Sequence, residues 1–171
     1  MLTNRNNIKI LIGILAIGLI GVLGCERRSS NYPDSMPNDF NFISNIEDNS
    51  YILNTYTNKL TKTIDWEQDT TIAYQLPFKE KQKIYALLKQ IDIYKYPENY
   101  APVSTINVSP TFSYHFEFTL NEVDYKINWK ENTESEIRDA RRLRKLFFEI
   151  RNMIEKDEEV RNLPESKRVF L

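Results

Sequence analysis

The sequence predicts an α+β fold: a two-layer antiparallel sheet in the order β-β-α-β-β-α, with both helices on one face. Three observations predict it. Residues 112–130 alternate apolar and polar through two arms of matching length. Residues 51–76 alternate more loosely and are rich in threonine, tyrosine and isoleucine, which suit a pleated surface. Two stretches, 78–91 and 134–156, instead carry their apolar residues at helical spacing.

Taken in order, Asp39 to Ile46 spaces Phe40, Ile43 and Ile46 every three residues. That spacing reads as a short helical turn, or as coil docked on the domain. Residues 51–66 read as one strand, with Ile52, Tyr56, Leu60, Ile64 and Trp66 on its inner parity. Glu67-Gln68-Asp69 is the expected turn, and Thr70 to Leu76 returns with Ile72, Tyr74 and Leu76 inward. Pro77 suits the first turn of a helix, where its missing N–H costs nothing. Phe78, Ile84, Leu87, Leu88 and Ile91 form the expected buried stripe. Pro97, Pro102 and Pro110 predict irregular chain up to Ser109.

The second hairpin has a readable register. A two-residue loop at Asn121-Glu122 sets Leu120 opposite Val123, Phe118 opposite Tyr125, Phe116 opposite Ile127 and Tyr114 opposite Trp129. The other face then sets Glu117 opposite Lys126. Thr133-Glu134-Ser135-Glu136 is a capping box opening a helix to about Lys156. Its inner arc holds Ala140, Leu143, Leu146, Phe147, Ile150, Met153 and Ile154.

The amino-terminal end has a different character. Arg5 and Lys9 precede an unbroken apolar and glycine stretch from Ile10 to Leu23. A charged start and an apolar run of that length read as a secretory signal. As a helix the run rises about 21 Å, short of a hydrocarbon core about 30 Å thick. It ends on the sole cysteine of the chain, Cys25. Val22-Leu23-Gly24-Cys25 resembles the lipobox of bacterial lipoproteins. The resemblance implies a diacylglyceryl group on the Cys25 thiol and cleavage before that residue. It implies a protein anchored by lipid on the extracytoplasmic face of the cell membrane. Residues 1–24 are then signal peptide, 25–45 the lipidated cysteine with a polar tether, and 46–171 the domain with a charged tail.

Composition excludes several chemistries. The chain carries 23 Lys+Arg against 24 Asp+Glu, a balance that disfavours nucleic acid. All four glycines, Gly13, Gly18, Gly21 and Gly24, precede Cys25. Phosphate loops, dinucleotide fingerprints and nucleophile elbows need glycine, so the domain has none of them. One histidine, His115, excludes multi-histidine metal centres. No cofactor and no metal site is expected.

Three groups of residues remain as candidates. His115, Glu117 and Lys126 share the polar face of the second hairpin, where a histidine beside a carboxylate does acid–base work or simply faces solvent. Arg138, Arg141, Arg142 and Lys145 form a cationic stripe on the last helix, suited to anionic headgroups, an anionic polymer or an acidic envelope protein. Tyr94, Tyr96 and Tyr100 crowd the loop after the first helix, either as recognition residues or as a plug on the sheet. The expected function is a binding or interaction module at the cell envelope. A small envelope hydrolase using carboxylates and His115 is the alternative.

Overall fold

The paired arms at 113–130 build the centre of the domain. In the computed structural model, which describes residues 32–48, 50–102, 111–130 and 137–167, they are Ser113–Leu120 and Val123–Lys130. Their antiparallel register pairs Leu120 with Val123, Phe118 with Tyr125, Phe116 with Ile127, Tyr114 with Trp129 and Glu117 with Lys126, as the alternation predicts. Asn121 and Glu122 both take positive φ, 51° and 63°, the turn geometry that matches strand twist. Val123, expected inward, is 49% exposed at the hairpin tip.

Residues 33–171 form one compact unit. It is α+β, with a seven-stranded sheet and three helices among the described residues. The strands are β1 Asn41–Ile46, β2 Tyr51–Asn54, β3 Lys59–Thr63, β4 Asp69–Ala73, β5 Asn99–Tyr100, β6 Ser113–Leu120 and β7 Val123–Lys130. Their order across the sheet is β4-β3-β2-β1-β6-β7-β5. All neighbours are antiparallel except β5, which runs parallel to β7. The helices are α1 Phe78–Ile91, α2 Arg138–Glu155 and the short α3 Glu158–Arg161, and a 3-10 turn spans Ile93–Lys95.

The first correction concerns Asp39 to Ile46. This segment is neither helical nor coil, because β1 lies between β2 and β6. Its inward residues are Phe42, Ser44 and Ile46, at period two. A serine at an inward position hides that alternation, and the three-residue spacing of Phe40, Ile43 and Ile46 is incidental. The Ser44 hydroxyl is fully buried with no hydrogen-bond partner. The compact unit therefore takes in residues within the stretch read as tether. Pro33 is already held, its carbonyl accepting from Tyr85 Oη at 2.7 Å and Lys89 Nζ at 2.8 Å.

The second correction splits the strand expected at 51–66. Asn54 Oδ1 accepts from the N–H groups of Tyr56 and Thr57, at 3.0 and 3.1 Å, and bends the chain after β2. Asn58 then takes φ 50° and β3 returns. The turn changes the inward parity. Tyr51 and Leu53 are buried instead of Ile52, while Tyr56 and Trp66 are 43% and 70% exposed. The next turn falls at 64–68, where Ile64 and Asp65 N–H donate to the Gln68 carbonyl.

In α1 the buried residues are Ile84, Tyr85, Leu88 and Ile91. Phe78 is 65% exposed, against expectation, since Pro77 starts the helix with Phe78 on its outer side. The helix stops at Asp92, whose φ of 54° lets its N–H reach the Leu88 and Lys89 carbonyls. The chain then forms β5 at the far edge from β4, so irregular structure to Ser109 is also corrected at Asn99–Tyr100.

α2 buries Ala140, Leu143, Leu146, Phe147, Ile150 and Ile154. The Phe147 ring meets Tyr114, Phe116 and Trp129, at centroid distances of 4.7, 6.2 and 5.7 Å. Phe42 meets Phe116 at 5.3 Å, Phe40 meets Phe42 at 5.8 Å, and Tyr85 of α1 meets Phe40 at 5.5 Å. A continuous set of rings thus joins both long helices to the sheet. The capping box at 133–136, the leader with Cys25, residues 103–110 and the terminal Val169-Phe170-Leu171 lie outside the described residues.

Candidate functional site

The sheet register gathers polar side chains into one row on the face opposite Phe147. Asn45 of β1 pairs with His115 of β6, His115 with Asn128 of β7, and Asn128 with Asn99 of β5. Residues paired across neighbouring strands share a face, so four strands set these side chains side by side. His115 Nδ1 and Asn128 Oδ1 are 2.9 Å apart, and Asn128 Nδ2 donates to Asn99 Oδ1 at 2.9 Å. With Asn128 oriented to donate to Asn99, its oxygen faces the imidazole and Nδ1 is the donor. His115 Nε2 then points to the Glu117 carboxylate, 3.5 Å away.

An open cleft of about 360 Å³ lies at this row. Asn45, Asn99, His115 and Asn128 line it, with Ser113 and Lys130 on the same face. Asp48 forms the adjoining wall. Its N–H donates to the Ser113 carbonyl, and its carboxylate accepts from the Ser113 N–H, both at 2.9 Å. Tyr100, Tyr114 and Trp129 complete the lining. The site offers amides, an imidazole, the Ser113 hydroxyl, the Asp48 carboxylate and one lysine beside aromatic rings, a set that hydrogen-bonds polar groups in several directions. The two ring nitrogens of His115 are directed at Asn128 and Glu117.

The other expected residues are placed as follows. Lys126, in register with Glu117, reaches Glu98 at 3.6 Å. Tyr94 packs on Tyr125 at 4.6 Å and on Phe118 at 6.4 Å. Tyr96 is buried, donates from its hydroxyl to the Asp139 carbonyl at 3.0 Å and meets Tyr100 edge-on at 5.3 Å. Burial, with the Asp139 carboxylate nearby, holds the Tyr96 phenol above its ordinary range. Tyr100 belongs to β5 beside Trp129. These three tyrosines tie the crossover to the sheet and to the start of α2, and only Tyr100 lines the cleft.

On α2, Arg138, Arg141 and Lys145 are exposed. Arg142 is half-buried and lies 3.7 Å from Asp139, which also takes Lys95 at 2.6 Å. Phe148 stands among the cations at 59% exposure.

Two features escaped the sequence reading. Asn45 and Asn99 lie on segments expected to be non-strand, so nothing placed them beside His115. Their signal was weak: an asparagine at the outward parity of a six-residue segment, and a two-residue strand. No family model, curated protein or solved structure matches the chain.

Proposed function

We propose that this chain is a lipid-anchored extracytoplasmic lipoprotein whose domain binds a polar envelope ligand in the cleft at His115, Asn128 and Asn99. The anchoring part rests on Val22-Leu23-Gly24-Cys25 closing an apolar leader. Two or three acyl chains hold a protein to a bilayer stably, where one does not. The binding part rests on one observation, the hydrogen-bonded amide–imidazole row beside an open cleft. Its chemistry suits hydroxyl or amide groups, as in a wall saccharide or peptide. The finer architecture we propose is two layers, with α1 and α2 both on the ring-bearing face, supported by the Tyr85 and Phe147 contacts. The polar row is then on the opposite face.

Cys25→Ser tests the anchor. Cells fed labelled palmitate incorporate label into the parent protein, and the variant stays unlabelled at precursor size. Label on the variant, or no label on the parent, overturns the anchor. The cleft is tested by nuclear magnetic resonance, since His115 is the sole histidine and gives one imidazole signature. Soluble wall fragments should shift it saturably, and Asn128→Ala should weaken that binding about tenfold, one lost hydrogen bond. An imidazole signal that no fragment moves overturns the site.

A further inference from the structure

We propose that the outer face of α2, made by Arg138, Arg141, Lys145 and Phe148, seats on an anionic lipid surface and sets the orientation of the domain. This rests on the lipid-anchor reading above and adds to it a specific contact face. Three observations carry it.

The first is the makeup of the face. Arg138, Arg141, Lys145 and Phe148 span an arc of about 80° and a length of about 15 Å along the helix. All four are exposed, with Phe148 at 59%. An exposed phenylalanine among cations is the pairing that interfacial helices use, with the ring entering the headgroup boundary and the cations meeting anionic lipid.

The second is local charge. Of the carboxylates on this helix, Asp139 is held by Lys95 and Arg142, and Glu155 by Arg151. Glu149 remains beside Lys145, and Glu158 and Glu159 lie beyond the carboxyl end of the helix. Within α2 itself, this arc carries three cations over its first three turns and is bounded by acid at its carboxyl end, a charge pattern that suits a negative surface.

The third is where the tether arrives. From Cys25 to Pro33 is eight residues, at most about 29 Å of extended chain. Pro33 is held on α1 by Tyr85 and Lys89, and α1 lies beside α2, with Lys95 and Tyr96 just after α1 bonded to Asp139. The domain's own chain thus begins on α1, the neighbour of α2. A weak surface contact then acts at high effective concentration, and the cleft faces away from the bilayer.

The mature chain has no thiol other than Cys25, so one introduced cysteine reports one position. Lipidated protein is placed in vesicles of phosphatidylglycerol or phosphatidylcholine, with an environment-sensitive fluorophore at Asn152→Cys, within the α2 arc, or at Glu117→Cys, on the polar sheet face. Brominated lipid should quench the first and spare the second, in phosphatidylglycerol vesicles only. Arg141→Glu with Lys145→Glu, and separately Phe148→Ser, should abolish the quenching. Salt near 1 M, where the screening length falls to about 3 Å, should weaken it strongly. Equal quenching at both positions, or none at Asn152→Cys in protein that stays with the vesicles, overturns the contact and leaves the anchor standing. Protein that carries no acyl group and washes off the vesicles overturns both.

Discussion

Among the described residues, Glu47, Asp48, Asn58, Asp92, Asn121 and Glu122 take positive φ without being glycine. The domain has no glycine to place there. Asn and Asp tolerate this region because their short side chains bond locally, whereas a glutamate pays the steric cost in full. The two glutamates differ in compensation. Glu47 pairs with Arg151, and Arg151 also takes Glu155. Glu122 contributes its backbone N–H to Asp39, at 2.7 Å, which any residue but proline supplies. Glu122→Gly should therefore stabilise the domain by about 1 kcal/mol, read as a higher urea midpoint at unchanged slope. Glu47→Gly should gain less, since it removes the Arg151 partner. Equal midpoints for Glu122→Gly and the parent would show that the turn carries no strain. Ser44 is the opposite case, a residue whose burial no local signal announces: its hydroxyl sits in the core between Leu53 and Phe116 because the strands on both sides put it there.

At the scale of elements, the second hairpin was legible to its pairing because three signals agree. Both faces alternate, the arms match in length, and the loop is two residues long. α2 was legible because its apolar arc keeps a single period along an 18-residue helix, enough to average out exceptions. The first hairpin departs from its periodicity because Asn54 bends the chain through local hydrogen bonds and Asn58 turns it with a positive φ, neither of which periodicity detects. That turn shifts parity, so Tyr51 and Leu53 are inward before it and Leu60 after it; Tyr56 lies in this turn and Trp66 in the next one, and both are exposed. β5 was missed because two residues carry no period. Its pairing with β7 depends on α1 crossing from one sheet edge to the other, and on Asn128 N–H donating to the Glu98 carbonyl at 2.6 Å.

For the whole molecule, no disulfide is available and packing carries the fold. Much of that packing is aromatic, and several phenols are buried in it. Burial, with Asp157 and Glu80 nearby, pushes Tyr74 up to about 12 from its ordinary 10.0. Burial also raises Tyr51, Tyr56, Tyr85, Tyr96 and Tyr100. In each case the unfolded chain releases its phenolic proton at lower pH than the folded one. The unfolded state then binds fewer protons, so stability falls as pH rises. The contribution is present in full below about pH 10, and it is lost as pH climbs through 10 towards 12. Urea midpoints should stay level up to that point and then drop, with tyrosinate absorbance rising alongside unfolding. A midpoint unchanged between pH 10 and 12 would show that these phenols ionise in place.

The sequence by itself determined the α+β class, the second hairpin with its register, the two long helices and a domain without glycine. It also carries the lipobox resemblance at Val22–Cys25, because that feature is local and linear. Only the tertiary structure decided that β1 lies inside the sheet, that Asn45, His115, Asn128 and Asn99 form one row, and that Phe148 stands exposed among cations. The physical reason is the same each time. Local patterns record how a segment relates to solvent, while a site made by four strands depends on which segments become neighbours, and pairing between distant strands leaves no mark on either one alone.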